Sequence, residues 1–246
     1  MGTITNRYLN EVHWQQPGDP KLRVTGNAVH VWRICISKNL KRLEQFEALL
    51  NPEETLRAGR YKQQKDTYRF IISRGMQRII LGRYLDLLPA ALQFVLGDNK
   101  KPHVVGNNGD TIHYNLSHSG DWILLAIAAS PIGTDVEFID NNFSFRDILP
   151  DNFSNDEIAY INHDNAAERF FTLWTRKEAI LKATGQGLGE HLQLTPSLDG
   201  EHTLSRSVIG ADKNWQLNSF LVNPGYIGSV AAEDAGQFFL FFDANT

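Results

Sequence analysis

The stretch "FTLWTRKEAILKATGQGLG", residues 171–189, decides how the C-terminal half of the chain must fold. On a helix with 3.6 residues per turn, its apolar positions gather on one side. With one residue from just before the stretch, this side holds Phe170, Leu173, Ile180, Leu181 and Thr184. Lys177 projects into the middle of the same side, although a buried ammonium group is costly unless it meets an anion. The stretch therefore predicts a long helix with one buried face and a lysine that needs a partner.

The edge of this face carries Trp174, Glu178 and Lys182, which follow one another at intervals of one turn. A glutamate four residues before a lysine is usually an ordinary solvated helix pair. Here the pair borders a face that should be buried, so a functional pair is as well supported as a solvated one.

The composition sets limits on the function. The chain has 246 residues, of which 42% are apolar and 11% aromatic, enough for a packed core. A net charge of −4 argues against general nucleic-acid binding, which needs a basic face. The one cysteine, Cys35, lies in an apolar strand-like run and is expected to be a buried small side chain. Neither a signal-peptide core nor a membrane span is found in the sequence pattern, so no membrane partner and a cytoplasmic location are expected.

The periodicity and the turn residues predict the other elements. Asn51 suits the N-cap and Pro52 the first position of a short helix. A longer helix is predicted from residue 65 and ends before Pro89. Strands are predicted at residues 28–37, at 111–130 as a pair joined by a turn at 117–121, at 134–138, and in a C-terminal run that includes 225–232. Residues 139–165 are predicted to be irregular.

A weak internal repeat organises these elements. Four residue pairs match at a distance of one hundred positions, namely Arg69 with Arg169, Phe70 with Phe170, Ile80 with Ile180 and Leu81 with Leu181. The order of strand, long helix and strands also repeats. We therefore expect an α+β fold of two similar lobes, residues 1–130 and 131–246, related by a pseudo-two-fold axis. Each lobe should be a small, mainly antiparallel sheet packed on a long helix, and the protein a monomer with pseudo-dimeric lobes.

Polar residues that could carry chemistry occur in three places. Asp135 and Glu137 are two apart on a predicted strand and point to one face, where two carboxylates could bind a hard cation such as Mg²⁺ or stand as unrelated exposed acids. The arginines of the first helices form either a solvated face or an anion site: Arg57, Arg60, Arg69, Arg74 and Arg78. The "SHS" sequence, Ser117 to Ser119, is predicted as a turn that holds phosphate or is a plain hairpin turn.

These stretches together resemble one family. "GTDVE", then "LWTRKEAILKATGQGL" about forty residues later, with "NLSHSGDW", an arginine-rich helix and "KKP" upstream, resembles the 4′-phosphopantetheinyl transferases of the two-lobed, surfactin-synthetase-activating type. The resemblance covers residues 51–188, with weaker support from "NPGYIGSVAA". It implies that the phosphopantetheine arm of coenzyme A is moved to a serine of an acyl or peptidyl carrier protein, with release of adenosine 3′,5′-bisphosphate. Mg²⁺, or Mn²⁺ in its place, would be the metal.

The resemblance assigns roles residue by residue. The implied metal ligands are Asp135, Glu137 and Glu178, and the implied coenzyme A contacts are Arg57 and Arg69 near the 3′-phosphate, Lys101 and Pro102 near the adenine, Ser117, His118 and Lys182. Glu178 would take the proton of the carrier serine, directly or through a water held by the metal, and Lys182 would neutralise charge on the phosphates. Glu178 and Lys182 are therefore the expected catalytic residues.

Two positions depart from the family pattern, and other functions stay open. Glu54 stands where a lysine can stand, which puts one phosphate contact in doubt, and Thr134 replaces an aliphatic residue on the side away from the metal. Lys177 either packs its stem along the core with its charge reaching solvent at the lobe boundary, or contacts a ligand directly.

The alternatives to a transferase are a Mg²⁺-dependent phosphohydrolase or nuclease and a non-catalytic nucleotide-binding module.

Overall fold

The structure is a computed structural model that describes residues 2–18, 22–96, 102–105, 111–185, 192–206, 210–233 and 237–245. Within these ranges the chain forms two β-sheets, and one long helix packs on each of them. This confirms the predicted α+β class and the two lobes. None of the described helices is both long enough and apolar enough to span a membrane.

The described elements have the following bounds. The strands are β1 (Thr3–Leu9), β2 (Trp14–Gln15), β3 (Ala28–Cys35), β4 (Phe94–Leu96), β5 (Pro102–Val105), β6 (Thr111–Ser119), β7 (Trp122–Ala128), β8 (Ile132–Phe138), β9 (Gly200–Thr203), β10 (Trp215–Asn223), β11 (Tyr226–Glu233) and β12 (Phe238–Asp243). The α-helices are α1 (Ile36–Asn39), α2 (Leu43–Glu47), α3 (Pro52–Ala58), α4 (Gln64–Leu85), α5 (Leu149–Asn152), α6 (Asn155–Ile161) and α7 (Ala166–Thr184). Short 3₁₀ turns lie at Leu40–Arg42, Pro89–Ala91 and Arg146–Ile148.

The two sheets exchange their terminal strands. The larger sheet has the described strand order β2-β12-β3-β7-β6-β5-β4, and the smaller one has the order β8-β11-β10-β1-β9. Pairing is antiparallel except that β1 runs parallel to β10 and β12 runs parallel to β2 and β3. The N-terminal strand β1 thus lies in the sheet of the second half, and the C-terminal strand β12 lies in the sheet of the first half. The expected boundary between residues 130 and 131 falls between β7 and β8. The division of the chain at this point stays a prediction, and it does not describe the terminal strands β1 and β12, which each lie in the sheet of the other half.

The helix α4 covers the larger sheet. Its buried side chains pack against β3, β6 and β7, and they include Phe70, Ile71, Ile72, Met76, Ile80 and Leu81. Gly75 lies so close to the ring of Phe46 in α2 that a methyl group there would overlap the ring. The preceding α3 begins as predicted, with Asn51 as N-cap, Pro52 in the first turn and a complete capping box between Asn51 and Glu54.

The helix α7 covers the smaller sheet and lies very close to β8. Phe170, Leu173 and Ile180 are buried, as predicted from their spacing. A Cβ atom at Gly133 of β8 would overlap the backbone of Ala179 and Ala183 in α7. Only a glycine therefore lets this helix approach the strand so closely. The approach sets the distance between α7 and the carboxylates that follow Gly133 on the same strand.

The lobes join through an apolar core between the two sheets. It contains fully buried residues from both, among them Val31 and Leu124 of the larger sheet and Val136, Val222 and Val230 of the smaller one. Full burial of one such side chain stabilises the fold by about 1.5–3 kcal/mol. The relative position of the lobes is therefore fixed by packing. Cys35, at the edge of this core, is buried as predicted.

The prediction for residues 139–165 was wrong, because α5 and α6 lie in this segment. Ser154 is the N-cap of α6 and forms a capping box with Glu157. The pattern of a serine followed by a glutamate three residues later is a known helix start, so a local signal was present.

Lys177 follows neither of the two predicted courses. Its side chain has 0% relative exposure, so the charge does not reach solvent, and it contacts protein rather than a ligand site. The Nζ atom lies 3.0 Å from Oε2 of Glu157 and donates to the carbonyl oxygens of Leu192 (2.7 Å) and Thr195 (2.6 Å). Burial lowers the pKa of Lys177, and Glu157 opposes this shift. The expectation that its ammonium meets an anion holds, but the anion is a carboxylate inside the second lobe.

Candidate functional site

The two carboxylates of β8 face hydroxyl groups of β6 from the other sheet. Ser117 donates to Oδ1 of Asp135 and Ser119 donates to Oε2 of Glu137, each at 2.7 Å. Because alternate residues of a strand share a face, two serines two apart meet two acids two apart. Asp135 and Glu137 therefore point to one side, as predicted, and that side is the junction of the lobes.

The predicted turn at Ser117–Asp121 is corrected by this pairing. Ser117, His118 and Ser119 are the last residues of β6, and the turn is confined to Gly120 and Asp121. Gly120 has φ of +53°, which a two-residue hairpin turn requires and glycine adopts without strain. Ser117 and Ser119 thus serve as strand residues that face β8.

The helix α7 brings a lysine and a glutamate to the same place. Nζ of Lys182 lies 2.6 Å from Oδ1 of Asp135 and 3.2 Å from Oγ of Ser117. Glu178 lies one turn before Lys182, and Trp174 one turn before that. All three are half-buried on one edge of α7, as the spacing predicts.

The acids of this site, Asp135, Glu137 and Glu178, are called here the carboxylate cluster, and the pKa of each is raised. Burial raises the pKa of Asp135, and Lys182 and Ser117 oppose the shift. Burial and the charge of Asp135 raise the pKa of Glu137 to about 7. The same two causes raise the pKa of Glu178. The cluster is thus short of positive charge, with Lys182 as the cation in contact with it.

A hard divalent cation fits this donor set. Across the ranges that the structure describes, no three histidine, cysteine, aspartate or glutamate side chains are already drawn together as a metal site. Oδ2 of Asp135, however, is buried without a hydrogen-bond partner, and such an orphaned oxygen needs a cation or a donor. Carboxylate oxygens are the ligands that Mg²⁺ and Mn²⁺ prefer.

A positively charged pocket lies on the first-lobe side of the carboxylate cluster, and we call it the arginine pocket. Its volume is about 240 Å³. Its lining comes from α3, α4 and β6 and consists of Arg57, Tyr61, Asp66, Arg69, Phe70, Ser73, Arg74, Gln77, Tyr114, Asn115, Leu116 and His118. Arg57 and Arg74 both lie over the ring of Phe70, and Arg69 pairs with Asp66 at 2.9 Å. The predicted residues Arg57, Arg69 and His118 therefore share one cavity.

His118 joins the arginine pocket to the carboxylate cluster. It follows Ser117 on β6, and its side chain reaches solvent at the mouth of the pocket. The protein packed around its ring and the charge of Arg69 lower its pKa, and Lys182 adds to this shift. His118 is therefore favoured as a neutral hydrogen-bonding group.

The remaining predicted positions fall elsewhere. Lys101 lies outside the described residues, and Pro102 is the first residue of β5, where it pairs with Leu96. Arg78 is buried and pairs with Glu54 at 2.8 Å, so it does not line the pocket. The hydroxyl of Thr134 donates to the carbonyl of Ser229 inside the core, in line with the prediction that it faces away from the acids.

An apolar depression lies on the other side of the cluster, and we call it the aromatic groove. Its volume is about 560 Å³, and its lining consists of Ser119, Gly120, Glu137, Phe138, Asp140, Phe143, Ile148, Phe170, Phe171, Trp174 and Tyr226. Phe138 and Phe143 are 47% and 45% exposed, although both are large apolar side chains. Glu137 forms the boundary between this groove and the carboxylate cluster.

Sequence reasoning missed Asn115 and the aromatic groove, and it placed Ser119 in a turn rather than opposite Glu137. Ser119 donates to Glu137, and the side-chain oxygen of Asn115 accepts the backbone N–H of Thr134 at 2.8 Å. Both residues are two positions from Ser117, so strand alternation would have placed them on the same face. The prediction of a turn at this point hid that signal.

Comparisons with known proteins identify the family. A family model described as "4'-phosphopantetheinyl transferase superfamily" matches residues 131–231, and one described as "4'-phosphopantetheinyl transferase, N-terminal" matches residues 37–131. The 4'-phosphopantetheinyl transferase HetI of Nostoc sp. is 31% identical over 196 residues, which are 75% of this chain and 82% of HetI. The transferase psf-1 of Bacillus pumilus is 32% identical over 67% of this chain and 71% of its own length. The transferase Sfp of Bacillus subtilis is 25% identical over 77% of this chain and 84% of its own length. The chain belongs to the 4'-phosphopantetheinyl transferase superfamily and is of the Sfp-like type.

Proposed function

We propose that the protein transfers the 4′-phosphopantetheine arm of coenzyme A to a serine of an acyl or peptidyl carrier protein, with Mg²⁺ or Mn²⁺, and releases adenosine 3′,5′-bisphosphate. The observation that carries the proposal is the contact of Lys182 with both Asp135 and Ser117. This contact joins α7 of the second lobe to β6, the strand that borders the arginine pocket of the first lobe. A cytoplasmic location and a monomeric state remain predictions.

The charges along the junction match the parts of coenzyme A. The arginine pocket suits the phosphorylated nucleotide end, because guanidinium groups bind phosphate oxygens through paired hydrogen bonds. Its volume of about 240 Å³ is below the roughly 300–1,000 Å³ of sites that enclose a whole drug-sized ligand, so it would hold one end of the molecule. The pyrophosphate would then lie beside Lys182 and the carboxylate cluster.

The aromatic groove suits the rest of the donor and the acceptor. The pantetheine arm is uncharged and flexible, and the groove begins at Glu137, on the side away from the arginine pocket. An extended coenzyme A that crosses the cluster would therefore place its arm at the groove. The exposed rings of Phe138 and Phe143 are available there for the arm or for the carrier surface.

The proposed reaction is a displacement at the β-phosphorus of coenzyme A. Glu178 accepts the proton of the carrier serine as its oxygen forms the new bond to phosphorus. Burial and the charge of Asp135 raise the pKa of Glu178, which makes it a stronger proton acceptor than an exposed carboxylate. The bond between the β-phosphorus and the bridging oxygen breaks, and the bisphosphate leaves with that electron pair. Lys182 neutralises the charge that grows on the phosphate oxygens.

Asp135, Glu137 and Glu178 are the residues that would hold the metal ion. When bound, the ion supplies positive charge against the pyrophosphate and so lowers the cost of bringing two anions together. Ser117 and Ser119 orient the two carboxylates of β8 from the opposite sheet through their hydrogen bonds.

The proposal is tested with the purified protein, coenzyme A, Mg²⁺ and a panel of apo carrier proteins, followed by mass spectrometry of the carriers. We expect one added phosphopantetheinyl group on at least one carrier, and none after chelation of the metal. Release of inorganic phosphate with every carrier unmodified would indicate a phosphohydrolase instead. Metal-independent binding of coenzyme A without any transfer would indicate a nucleotide-binding module.

A further inference from the structure

Hydroxyl side chains lie at the contact between α7 and the smaller sheet, where apolar side chains are the rule. Thr175 of α7, Ser219 of β10 and Ser229 of β11 are each 0% exposed. The hydroxyl oxygens of Thr175 and Ser229 are 2.8 Å apart, and those of Ser229 and Ser219 are 2.9 Å apart. The three residues therefore form a line of hydrogen bonds between the helix and two strands, and we call it the hydroxyl chain.

The two ends of the hydroxyl chain fix its direction. At one end, Nε–H of Arg176, which can only donate, bonds to Oγ of Ser219 at 2.8 Å. At the other end, the hydroxyl of Thr175 donates to the carbonyl oxygen of Thr172 at 3.1 Å. Because each hydroxyl has one hydrogen, Ser219 must donate to Ser229, and Ser229 must donate to Thr175. Each hydroxyl thus donates once and accepts once, and the chain has a single arrangement.

The donor end of the hydroxyl chain is itself held in place. Arg176 is 2% exposed, and it donates to the carbonyl oxygen of Ser197 at 2.7 Å and to Oδ1 of Asp199 at 2.6 Å. Both partners belong to the segment that follows α7. The guanidinium group therefore cannot turn away from the chain without breaking two other bonds.

Ser229 connects the hydroxyl chain to the strand that bears the carboxylates. It is paired in register with Asp135 of β8. Its carbonyl oxygen accepts a hydrogen bond from the hydroxyl of Thr134, the residue before Asp135, at 3.0 Å. The side chain of Ser229 thus holds α7, and its backbone holds β8.

The bond at Thr175 restricts the rotation of α7. Thr175 lies three residues before Glu178 and seven before Lys182, so these side chains share one side of the helix. Apolar burial is non-directional, whereas a hydrogen bond weakens steeply as its angle departs from a straight line. The hydroxyl chain therefore fixes the rotation of the helix more narrowly than the apolar face alone does.

We propose that Thr175, Ser219 and Ser229 are positioning residues for the transfer reaction. The hydroxyl chain holds α7 in the rotation at which Glu178 of the helix and Asp135 of β8 reach the same metal ion. Because all three hydroxyl residues are fully buried, they act through Glu178 and not by contact with the substrate. This inference rests on the proposed function, since it concerns the base and the metal ligands named there.

The test compares Thr175→Val, which replaces the hydroxyl by a methyl group of similar size, with Thr172→Val. Thr172 is a matched control, because it is 5% exposed on the same helix and its hydroxyl donates to the carbonyl of Glu168 in that helix. Three quantities are measured at saturating Mg²⁺ or by direct binding. They are kcat on an apo carrier protein, KM for coenzyme A, and the affinity for Mn²⁺ in the presence of coenzyme A without carrier, followed by electron paramagnetic resonance.

The expected result is a loss of turnover and of metal affinity together. Thr175→Val should lower kcat about ten- to a hundredfold and weaken Mn²⁺ binding about tenfold or more, the scale for loss of a group that orients metal ligands. KM for coenzyme A should stay near the parental value, because the first lobe would hold the nucleotide end. Thr175→Ser keeps the hydroxyl and should retain most of both properties, and Thr172→Val should change neither.

A second variant breaks the hydroxyl chain at another point. Ser229→Ala should reproduce the losses of Thr175→Val, and the double variant should be little worse than either single one, because both remove the same bond. If Thr175→Val does not fold, as judged by circular dichroism, Ser229→Ala decides alone, since it removes one oxygen atom and adds no bulk. Additive losses in the double variant would mean that the two residues act separately, and would overturn the inference.

The contrary results separate this inference from the proposed function. A lower melting temperature of Thr175→Val with parental kcat and parental Mn²⁺ affinity would show a structural role alone and overturn the inference, while the proposed function stands. Equal losses in Thr172→Val would also overturn it, since that hydroxyl is not part of the chain. If the parent protein neither modifies a carrier nor binds Mn²⁺ with coenzyme A, the proposed function fails and this inference with it.

Discussion

The two long helices of the protein have the same setting but opposite chemistry. Each packs on a sheet and leaves one edge open beside the carboxylate cluster. Arg69, Phe70 and Arg74 of α4 line the arginine pocket, whereas Phe170, Phe171 and Trp174 of α7 line the aromatic groove. The repeated architecture therefore supplies two adjoining sites, and the side chains along one edge of each helix give the two sites their different chemistry.

The helices also share an anchoring arrangement. Arg78 of α4 pairs with Glu54, and Lys177 of α7 pairs with Glu157. Each glutamate belongs to the capping box of a short helix that precedes the long one, α3 in the first lobe and α6 in the second. The same device therefore holds each long helix to its lobe.

The largest effect is expected from removal of the buried lysine. Lys177→Met leaves the carboxylate of Glu157 buried without its cation, and breaking one partner of a buried pair costs about 3–5 kcal/mol. Urea denaturation should show this loss in the free energy of unfolding. Arg78→Met is the matched variant in the first lobe and should lose a similar amount. If either variant lost less than about 1 kcal/mol of unfolding free energy, the two buried pairs would not serve the same anchoring role.

The next largest effect is expected on turnover, when the charged residues of α7 are replaced. Lys182→Ala should lower turnover by about two to three orders of magnitude, the scale for one preorganised charge-stabilising group. Lys182→Arg should recover only part, because a planar fork does not replace a point charge. Glu178→Gln should be at least as damaging, since it would remove both the proposed base and a proposed metal ligand. Near-parental turnover of Glu178→Gln on an apo carrier at saturating Mg²⁺ would rule out both roles.

A smaller effect is expected where α7 touches β8. Gly133→Ala places a methyl group against the backbone of Ala179 and Ala183, and such overpacking costs about 1–3 kcal/mol. The helix must shift, so the contact of Lys182 with Asp135 should lengthen and turnover should fall as well. Gly18→Ala is the control, because no atom lies within 4 Å of the added group. If Gly133→Ala matched this control in thermal unfolding and turnover, the close approach of α7 to β8 would affect neither stability nor activity.

The smallest effect concerns pH. The pKa of Glu137 is raised from 4.5 to about 7, so the folded protein holds this proton more firmly than the unfolded chain. The contribution of Glu137 to stability is therefore fully present below pH 4.5 and is lost as pH rises through about 7. His118, with its lowered pKa, works in the opposite direction, so the readout is the difference between the parent and Glu137→Gln. In metal-free buffer the parent should lose melting temperature relative to this variant from pH 5 to pH 8, and Mg²⁺ should reverse the loss. A constant difference between the two proteins would contradict the shifted pKa.

Much of the fold could be predicted from local patterns. The buried face of α7, the cap of α3 and the strands β6, β7 and β8 follow from periodicity and capping residues. The exchange of β1 and β12 between the sheets could not be predicted, because strand pairing at long sequence separation leaves no local pattern. The partner of Lys177 was hidden for the same reason, since Glu157 lies twenty residues away on another helix.

The candidate site was predicted in part. The side-by-side position of Asp135 and Glu137 followed from strand alternation. The hydroxyl groups that meet them were misplaced, because "SHSGD" has the composition of a turn, although only Gly120 and Asp121 form it. The role of Glu54 could not be predicted, since a capping glutamate and an ion-pair partner of Arg78 have the same sequence pattern.

The different roles of the two long helices are tested most directly by a kinetic comparison of their variants on one carrier protein. If α4 holds the nucleotide end and α7 performs the transfer, Arg69→Ala and His118→Ala should raise the KM for coenzyme A more than they lower kcat. Lys182→Ala should lower kcat with a smaller change in KM. Steady-state rates, measured by mass spectrometry of the modified carrier over a range of coenzyme A concentrations, give both constants. We expect this division between KM and kcat, and a normal KM with a lost kcat for Arg69→Ala would contradict it.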